Sequence, residues 1–292
     1  MKLAAIDIGS NAARLLITEV NINEKGTPSF NKLNLIRVPL RLGFDVFESS
    51  EISKAKIGMV MQTMKAYKHL MNAYGVEHLK ACATSAMRDA KNAADIIRKI
   101  KMETDIGIEV ISGDLEANLI YENHVAENMD KDHSYLYIDV GGGSTELSFF
   151  SNNILTYKKS FNIGTIRLLK NMVTDKQWDD MKETLKAITK GHKEVVAIGT
   201  GGNINKVFSM SKRKDGKPLS LELLKDYYKE LSNVTLEERI SKYSLREDRA
   251  DVIVPALQIY VNAMRWATAE EIYVPKIGLV DGLIRHLWEE VK

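Results

Sequence analysis

The chain opens with apolar residues 3–8, interrupted only by Asp7, turns at Gly9-Ser10, and resumes at Leu15-Leu16-Ile17 after Arg14. That pattern predicts a strand, a tight turn and a second strand. A further strand region is expected over 30–42. Within 52–74, Ile57, Val60, Met61, Met64, Tyr67, Leu70 and Met71 recur at three- and four-residue spacing, the mark of a helix with one apolar face. Short strands follow at 79–83 and 108–111, with a helix at 93–102 between them.

From Tyr135 the pattern restarts. Ile138-Asp139-Val140-Gly141-Gly142 repeats the logic of Ile6-Asp7-Ile8-Gly9-Ser10 at an offset of 132 residues, counted from Asp7 to Asp139. This weak duplication predicts two halves that meet near the polar stretch 127–133, each a mixed sheet flanked by helices. The expected domains are 1–125, completed by a C-terminal helix at 280–292, and 126–279. In the second half the pattern predicts a strand to about Tyr157, helices near 165–172 and 176–189, a strand at 195–198 and a helix at 205–210. An exposed loop at 211–218 and helices near 249–267 and 279–290 close the chain.

Composition narrows the classes. A length of 292 residues fits two domains, and 45% hydrophobic residues are enough for sizeable cores. With 41 basic against 39 acidic residues, nothing global marks a nucleic-acid or membrane-surface binder. The single cysteine, Cys82, excludes an intramolecular disulfide and a cysteine-rich zinc site. Asp7 arrives too early for a signal-peptide core and no apolar run is long enough for a bilayer, so the expectation is a cytoplasmic protein.

Three glycine-rich turns follow apolar strands: Gly9-Ser10-Asn11, Gly141-Gly142-Gly143-Ser144 and Thr200-Gly201-Gly202. Glycine lets backbone N–H groups converge on an anion, and short polar side chains add donors. Each alone reads more simply as a plain hairpin or strand-to-helix turn. Asp7 and Asp139 shift that balance, because a carboxylate in an apolar strand is costly unless it is partnered. Two aspartates beside phosphate turns suit a hydrated Mg²⁺, with other divalent cations as substitutes. The Walker pattern is absent, and Gly199 to Ile204 lacks the last glycine of the dinucleotide fingerprint.

These residues carry a resemblance. Asp7-Ile8-Gly9-Ser10-Asn11 with Arg14, Ala83-Thr84-Ser85-Ala86-Met87-Arg88-Asp89-Ala90 with Asn92, Ile111-Ser112-Gly113 leading to Glu116-Ala117, Asp139 to Ser144 with Glu146, and Gly278-Leu279 with Asp281-Gly282 are similar, in order, to the exopolyphosphatase and guanosine pentaphosphate phosphohydrolase family. The resemblance implies an α/β fold of two ribonuclease-H-like domains, of the actin, sugar-kinase and Hsp70 superfamily, with a cleft between them. It implies Mg²⁺-assisted release of terminal phosphate and a tendency to dimerise. Longer relatives carry additional C-terminal helical domains. Glu116 matches the family's catalytic glutamate, Glu146 a second carboxylate that places water or metal, and Arg14 and Arg88 positions that face the substrate. Ser85 belongs to the same substrate motif. Leu115 stands where the family has a first glutamate.

Other features have more ordinary readings. Glu116 alone reads as a first-turn acid, Glu146 as an exposed strand residue, and Arg14 and Arg88 as surface ion-pair partners, Arg88 within a loop. Arg41 and Arg167 are weaker substrate candidates, each next to a glycine-containing loop. Lys212, Arg213, Lys214 and Lys217 either track a long polyanion or form a solvated loop. The six histidines show no metal spacing. Cys82 reads as a small buried hydrophobe, and Tyr67, Tyr227, Tyr228 and Trp266 as helix-face packing or interface residues rather than base-stacking platforms. The expected activity is release of orthophosphate from inorganic polyphosphate, with Glu116 activating water and Asp7 and Asp139 organising the metal. Guanosine pentaphosphate is the alternative substrate. A kinase of the same superfamily and a non-catalytic sensor of polyphosphate or alarmone are the rivals.

Overall fold

The computed structural model describes residues 1–121, 133–192 and 194–292. The stretch 127–132, expected to part the halves, lies outside the described residues, as does His124. The chain forms two compact units, Met1–Asn123 with Gly278–Lys292, and His124–Ile277.

In the first unit, β1 (Lys2–Ile8), β2 (Ala13–Ile22) and β3 (Pro28–Val38) form an antiparallel meander, followed by α1 (Leu42–Ser49) and α2 (Lys54–Tyr74). Then come β4 (His78–Ala83), α3 (Ser85–Asp89), α4 (Ala93–Thr104), β5 (Glu109–Val110) and α5 (Gly113–Tyr121). The strand order is β3-β2-β1-β4-β5, with β1 parallel to β4 and β4 parallel to β5. A central strand must be apolar on both faces, and every residue of β1 after Lys2 is buried. Helix α2 starts where Ser53 accepts a hydrogen bond from the Lys56 N–H and stops at Gly75 in the left-handed region, φ 67°.

The second unit repeats the plan. It runs β6 (Ser134–Val140), β7 (Thr145–Ser151), β8 (Ile154–Phe161), α6 (Thr165–Leu169), α7 (Asp175–Thr189), β9 (Val195–Thr200), α8 (Gly202–Met210) and β10 (Leu219–Ser220). After these come α9 (Leu221–Ser232), α10 (Leu236–Tyr243), α11 (Glu247–Ala250), α12 (Ile253–Trp266) and β11 (Glu271–Tyr273). The sheet order β8-β7-β6-β9-β11 mirrors the first unit strand for strand, with β10 added at the edge. This is the duplicated ribonuclease-H-like arrangement. Its core packs Leu136, Ile138, Phe149 and Ala197 of the strands with Ile259, Tyr260, Ala263 and Met264 of α12. Trp178 meets Trp266 edge-on at 5.8 Å, and Tyr227 and Tyr228 pack partly buried on the same core, in keeping with packing roles.

The last helix, α13 (Leu279–Val291), belongs to the first unit. Leu283, Ile284, Leu287 and Trp288 pack on Leu3, Ala5, Leu16, Val20 and Cys82. Gly282 permits this approach, because a Cβ there would sit 1.8 Å from the Leu119 carbonyl oxygen.

Several local expectations change. The strand region expected over 30–42 ends at Val38, and Leu42 instead opens α1, entered through Arg41 in the left-handed region. Arg88 lies on the short helix α3, not in a loop. The helix expected over 165–172 stops at Leu169, and α9 and α10 fill a segment for which no element was expected. Among the described residues, no helix is long and apolar enough to cross a membrane.

Candidate active site

The first glycine turn joins β1 to β2. Asp7 faces Arg14 directly across this hairpin, is 3% exposed, and its Oδ2 accepts a hydrogen bond from Arg14 Nη1 at 2.8 Å. Burial pushes the Asp7 carboxyl above its ordinary range, and the Arg14 guanidinium works against that shift. The Gly9 N–H donates to the Ala12 carbonyl at 3.0 Å and so closes the turn rather than facing a ligand. The Ser10 and Asn11 carbonyls accept from the N–H groups of Gly43 and Arg41, at 2.9 Å each. The Arg41 guanidinium lies 4.1 Å from the centroid of the Phe44 ring.

The carboxyl ends of the parallel strands gather the rest of this unit's candidates, the place where α/β sheets hold ligands. Ser85, just past β4, shares a 2.8 Å hydrogen bond between hydroxyls with Ser10 of the first turn. Arg88 Nη1 donates to the Ile111 carbonyl at 2.7 Å, tying α3 to the segment that enters α5. There Ser112 Oγ accepts from the Leu115 N–H, and Glu116 sits in the first helical turn, 9% exposed. Leu115 packs partly buried on the core beneath α13.

The second glycine turn joins β6 to β7. Asp139 faces Glu146 across the hairpin, and the two offer carboxylate oxygens within 4.8 Å of one another. Glu146 is 3% exposed and its Oε1 accepts from Ser160 Oγ at 2.7 Å, so it is not the exposed strand residue its alternating pattern allowed. The Gly141 N–H closes the turn onto the Ser144 carbonyl at 2.9 Å, as Gly9 does in the first copy. A brace then grips the loop from behind. The N–H groups of Thr165 and Ile166 donate to the carbonyls of Gly141 and Gly142 at 3.0 and 2.9 Å, and Arg167 Nε donates to the Gly143 carbonyl at 2.8 Å. Arg167 thereby holds the loop through its backbone. Gly164, which the sequence did not single out, makes this brace possible: a Cβ there would lie 2.4 Å from Gly143 C and 2.5 Å from the Gly142 oxygen. Its only local signal is a place between a strand and a helix.

The third turn, Thr200-Gly201-Gly202, leads from β9 into α8 and lies beside the second, because Asp139 pairs with Thr200 in the parallel register. Gly201 has φ 107°, which only glycine adopts freely, and a Cβ there would come 3.0 Å from Asp139 Oδ1. The Tyr260 hydroxyl donates to the Thr200 carbonyl, and burial together with Asp139 pushes its own deprotonation far up. The second unit therefore assembles two carboxylates and two glycine turns in one place. Oxygen donors of this kind suit a hard divalent cation such as Mg²⁺.

Other candidates fall elsewhere. Lys212, Arg213, Lys214 and Lys217 are exposed on the loop after α8. His133 pairs with Glu194 at 2.7 Å and His192 with the Ser134 hydroxyl at 2.8 Å. Cys82 is buried, and burial with the nearby Asp7 and Glu116 pushes its thiol well up.

A model of the Ppx/GppA phosphatase family matches residues 21–290. The chain is 30% identical over 261 residues to a bifunctional 3-dehydroquinate synthase/phosphatase of Fusobacterium nucleatum, covering 83% of this chain but only 38% of that longer protein. It is 23% identical to exopolyphosphatase 1 of Mycobacterium tuberculosis, over 97% of this chain and 87% of that one. Among solved structures, an exopolyphosphatase from Cytophaga hutchinsonii superposes with a TM-score of 0.86 at 26% identity, covering 100% of this chain and 99% of that one. The Aquifex aeolicus Ppx/GppA family member superposes with a TM-score of 0.76 at 27% identity, with the same coverage.

Proposed function

Because this chain belongs to the Ppx/GppA phosphatase family and is a phosphatase, we propose that it releases terminal orthophosphate from inorganic polyphosphate with the help of Mg²⁺. The observation that carries the reading is the buried Glu146 set directly opposite Asp139 beside two glycine turns. Such a group of paired carboxylates beside two glycine turns suits a hard divalent cation and the phosphate oxygens it would neutralise.

Each residue then has a role. Asp139 and Glu146 would hold the cation, and Asp7 is the further carboxylate that the sequence pattern assigns to it. The cation, when bound, neutralises charge on the phosphate oxygens. Glu116 orients a water and accepts its proton as the water attacks the terminal phosphorus, and the bond to the bridging oxygen breaks toward the shortened chain. Arg14 and Arg88 each spend one guanidinium bond on the protein and keep further N–H donors for phosphate oxygens. Gly9 and Gly141 close their turns, and Ser10, Asn11, Gly142, Gly143 and Ser144, with the 200–202 turn, are the substrate-binding positions of this proposal. A homodimer belongs to the same proposal and rests on the resemblance alone, and a cytoplasmic setting rests on the sequence pattern.

Phosphate release from polyphosphate and from guanosine pentaphosphate, measured side by side with Mg²⁺ and with EDTA, tests the substrate and the metal together. Glu116→Gln keeps shape and removes basicity. It should lower turnover by about 100- to 10,000-fold while polyphosphate still binds. Near-normal turnover in that variant overturns the role of Glu116, and turnover of guanosine pentaphosphate alone overturns the substrate.

A further inference from the structure

The loop after α8 concentrates charge with little to neutralise it. Lys212, Arg213, Lys214 and Lys217 are all exposed there. The one acid of the loop, Asp215, is already paired with Lys276 at 2.6 Å, and the Lys276 ammonium also lies 5.6 Å from the Phe208 ring centroid. Two left-handed residues, Lys212 at φ 55° and Gly216 at φ 78°, fold the loop tightly, and the Lys217 N–H closes it onto the Lys214 carbonyl at 3.1 Å. The four cations are thus crowded into one compact turn rather than spread along a flexible tail.

Its position is informative. Helix α8 begins at the Thr200-Gly201-Gly202 turn and ends at Met210, immediately before the loop. Nine residues of helix span about 13 Å, so the basic turn lies one short helix away from the phosphate turn. Asn203, Lys206 and Met210 share one face of that helix by their i, i+3, i+7 spacing, which sets a further cation, the half-buried Lys206, between the two ends.

We propose that this loop, with Lys206, binds the body of a long inorganic polyphosphate chain whose terminal phosphate is at the glycine turns. The inference rests on the polyphosphate reading above and adds the place where the rest of the substrate lies. An unadorned chain of phosphates is the partner that fits, because the loop sequence Ser211 to Pro218 holds no aromatic residue. Single-stranded nucleic acids are held by aromatic stacking as well as charge. The consequence is a grip that grows with substrate length and weakens with salt, since each neutralised phosphate releases counterions.

The test replaces Lys212, Arg213, Lys214 and Lys217 together by alanine in the full chain, with thermal melting to verify the fold. For long-chain polyphosphate we expect KM to rise about tenfold with kcat preserved, and for tripolyphosphate both constants to stay as in the wild type. In the Glu116→Gln background, direct binding of long-chain polyphosphate should lose about 2–3 units of its log–log salt slope, at ~0.7 per lost contact. Unchanged KM and an unchanged slope overturn the proposal. So does an oligonucleotide that binds as tightly as polyphosphate and is weakened equally by the four substitutions. Should the wild type release no phosphate from polyphosphate, the reading of the activity falls, and the binding slope alone decides whether the loop holds the chain.

Discussion

Arg14 and Glu146 occupy the same position in two copies of one hairpin, each facing the aspartate that lies seven residues before it, Asp7 and Asp139. Both hairpins close through the same bond, from the first turn glycine to the carbonyl three residues on. The duplication has therefore kept the geometry and reversed the charge opposite the aspartate. One copy sets a guanidinium against its carboxylate, while the other sets two carboxylates together, which is why the proposed cation is assigned to the second copy.

Glu146→Gln should preserve the acceptor for Ser160 while removing one of those charges. The Mg²⁺ concentration giving half-maximal phosphate release is expected to rise by about tenfold or more, given that even indirect supports of a metal carry that much affinity. An unchanged Mg²⁺ titration would show that this pair does not hold the ion.

Arg14→Ala strands Asp7 in an apolar strand. With Arg14 itself partly exposed, a loss of about 1–3 kcal/mol is expected, below the cost of breaking a fully buried pair. Asp7→Asn should recover most of it in the double variant, and chemical denaturation of the four proteins reads the coupling directly. Additive losses would mean that the two side chains do not stabilise each other.

Gly164→Ala has no room at the back of the second turn, where its methyl group would meet Gly142 and Gly143 backbone. Since backbone cannot yield as a flexible side chain can, the turn must shift. We expect destabilisation of about 1–3 kcal/mol and a fall in kcat larger than the stability loss explains. Wild-type kcat with a lowered melting temperature would confine Gly164 to a packing role.

Cys82 provides a pH test. Its thiol titrates well above its ordinary value of 9.0 because burial and neighbouring carboxylates disfavour the thiolate. The folded chain therefore holds that proton at pH values where the unfolded chain releases it. Stability from this group is complete below about pH 9 and is lost as pH rises, with a slope approaching ~1.4 kcal/mol per pH unit. Cys82→Ala should flatten the alkaline limb of the stability profile, and iodoacetamide should label the wild type only as fast as it unfolds. Rapid labelling of the native protein at pH 8 would contradict the burial argument.

Much of this was legible in the residues themselves. β1, β6 and the glycine turns announce themselves by apolar runs ending in Asp-x-Gly, and α2 by a long period of three and four. What stayed hidden depends on partners far along the chain. The burial of Glu146 is set by Ser160 and the neighbouring strands, and the need for glycine at 164 by a turn some twenty residues earlier. The start of α1 is masked because Leu40, Leu42 and Phe44 continue the apolar alternation of β3, and only the left-handed backbone of Arg41 breaks it. The five-residue α3 is too short to show a period at all, which is why Arg88 reads as a loop residue.

The seating of α13 on β1 has a bearing on how the polypeptide comes into being. The face of the first sheet that carries Leu3, Ala5 and Leu16 lacks the cover of α13 until Leu279 to Val291 has been synthesised. The middle of the gene product is contiguous and able to settle beforehand. The inserted body is thus available to fold before this helix is made, and a nascent chain stalled before Leu279 leaves Leu3, Ala5 and Leu16 without the cover of α13.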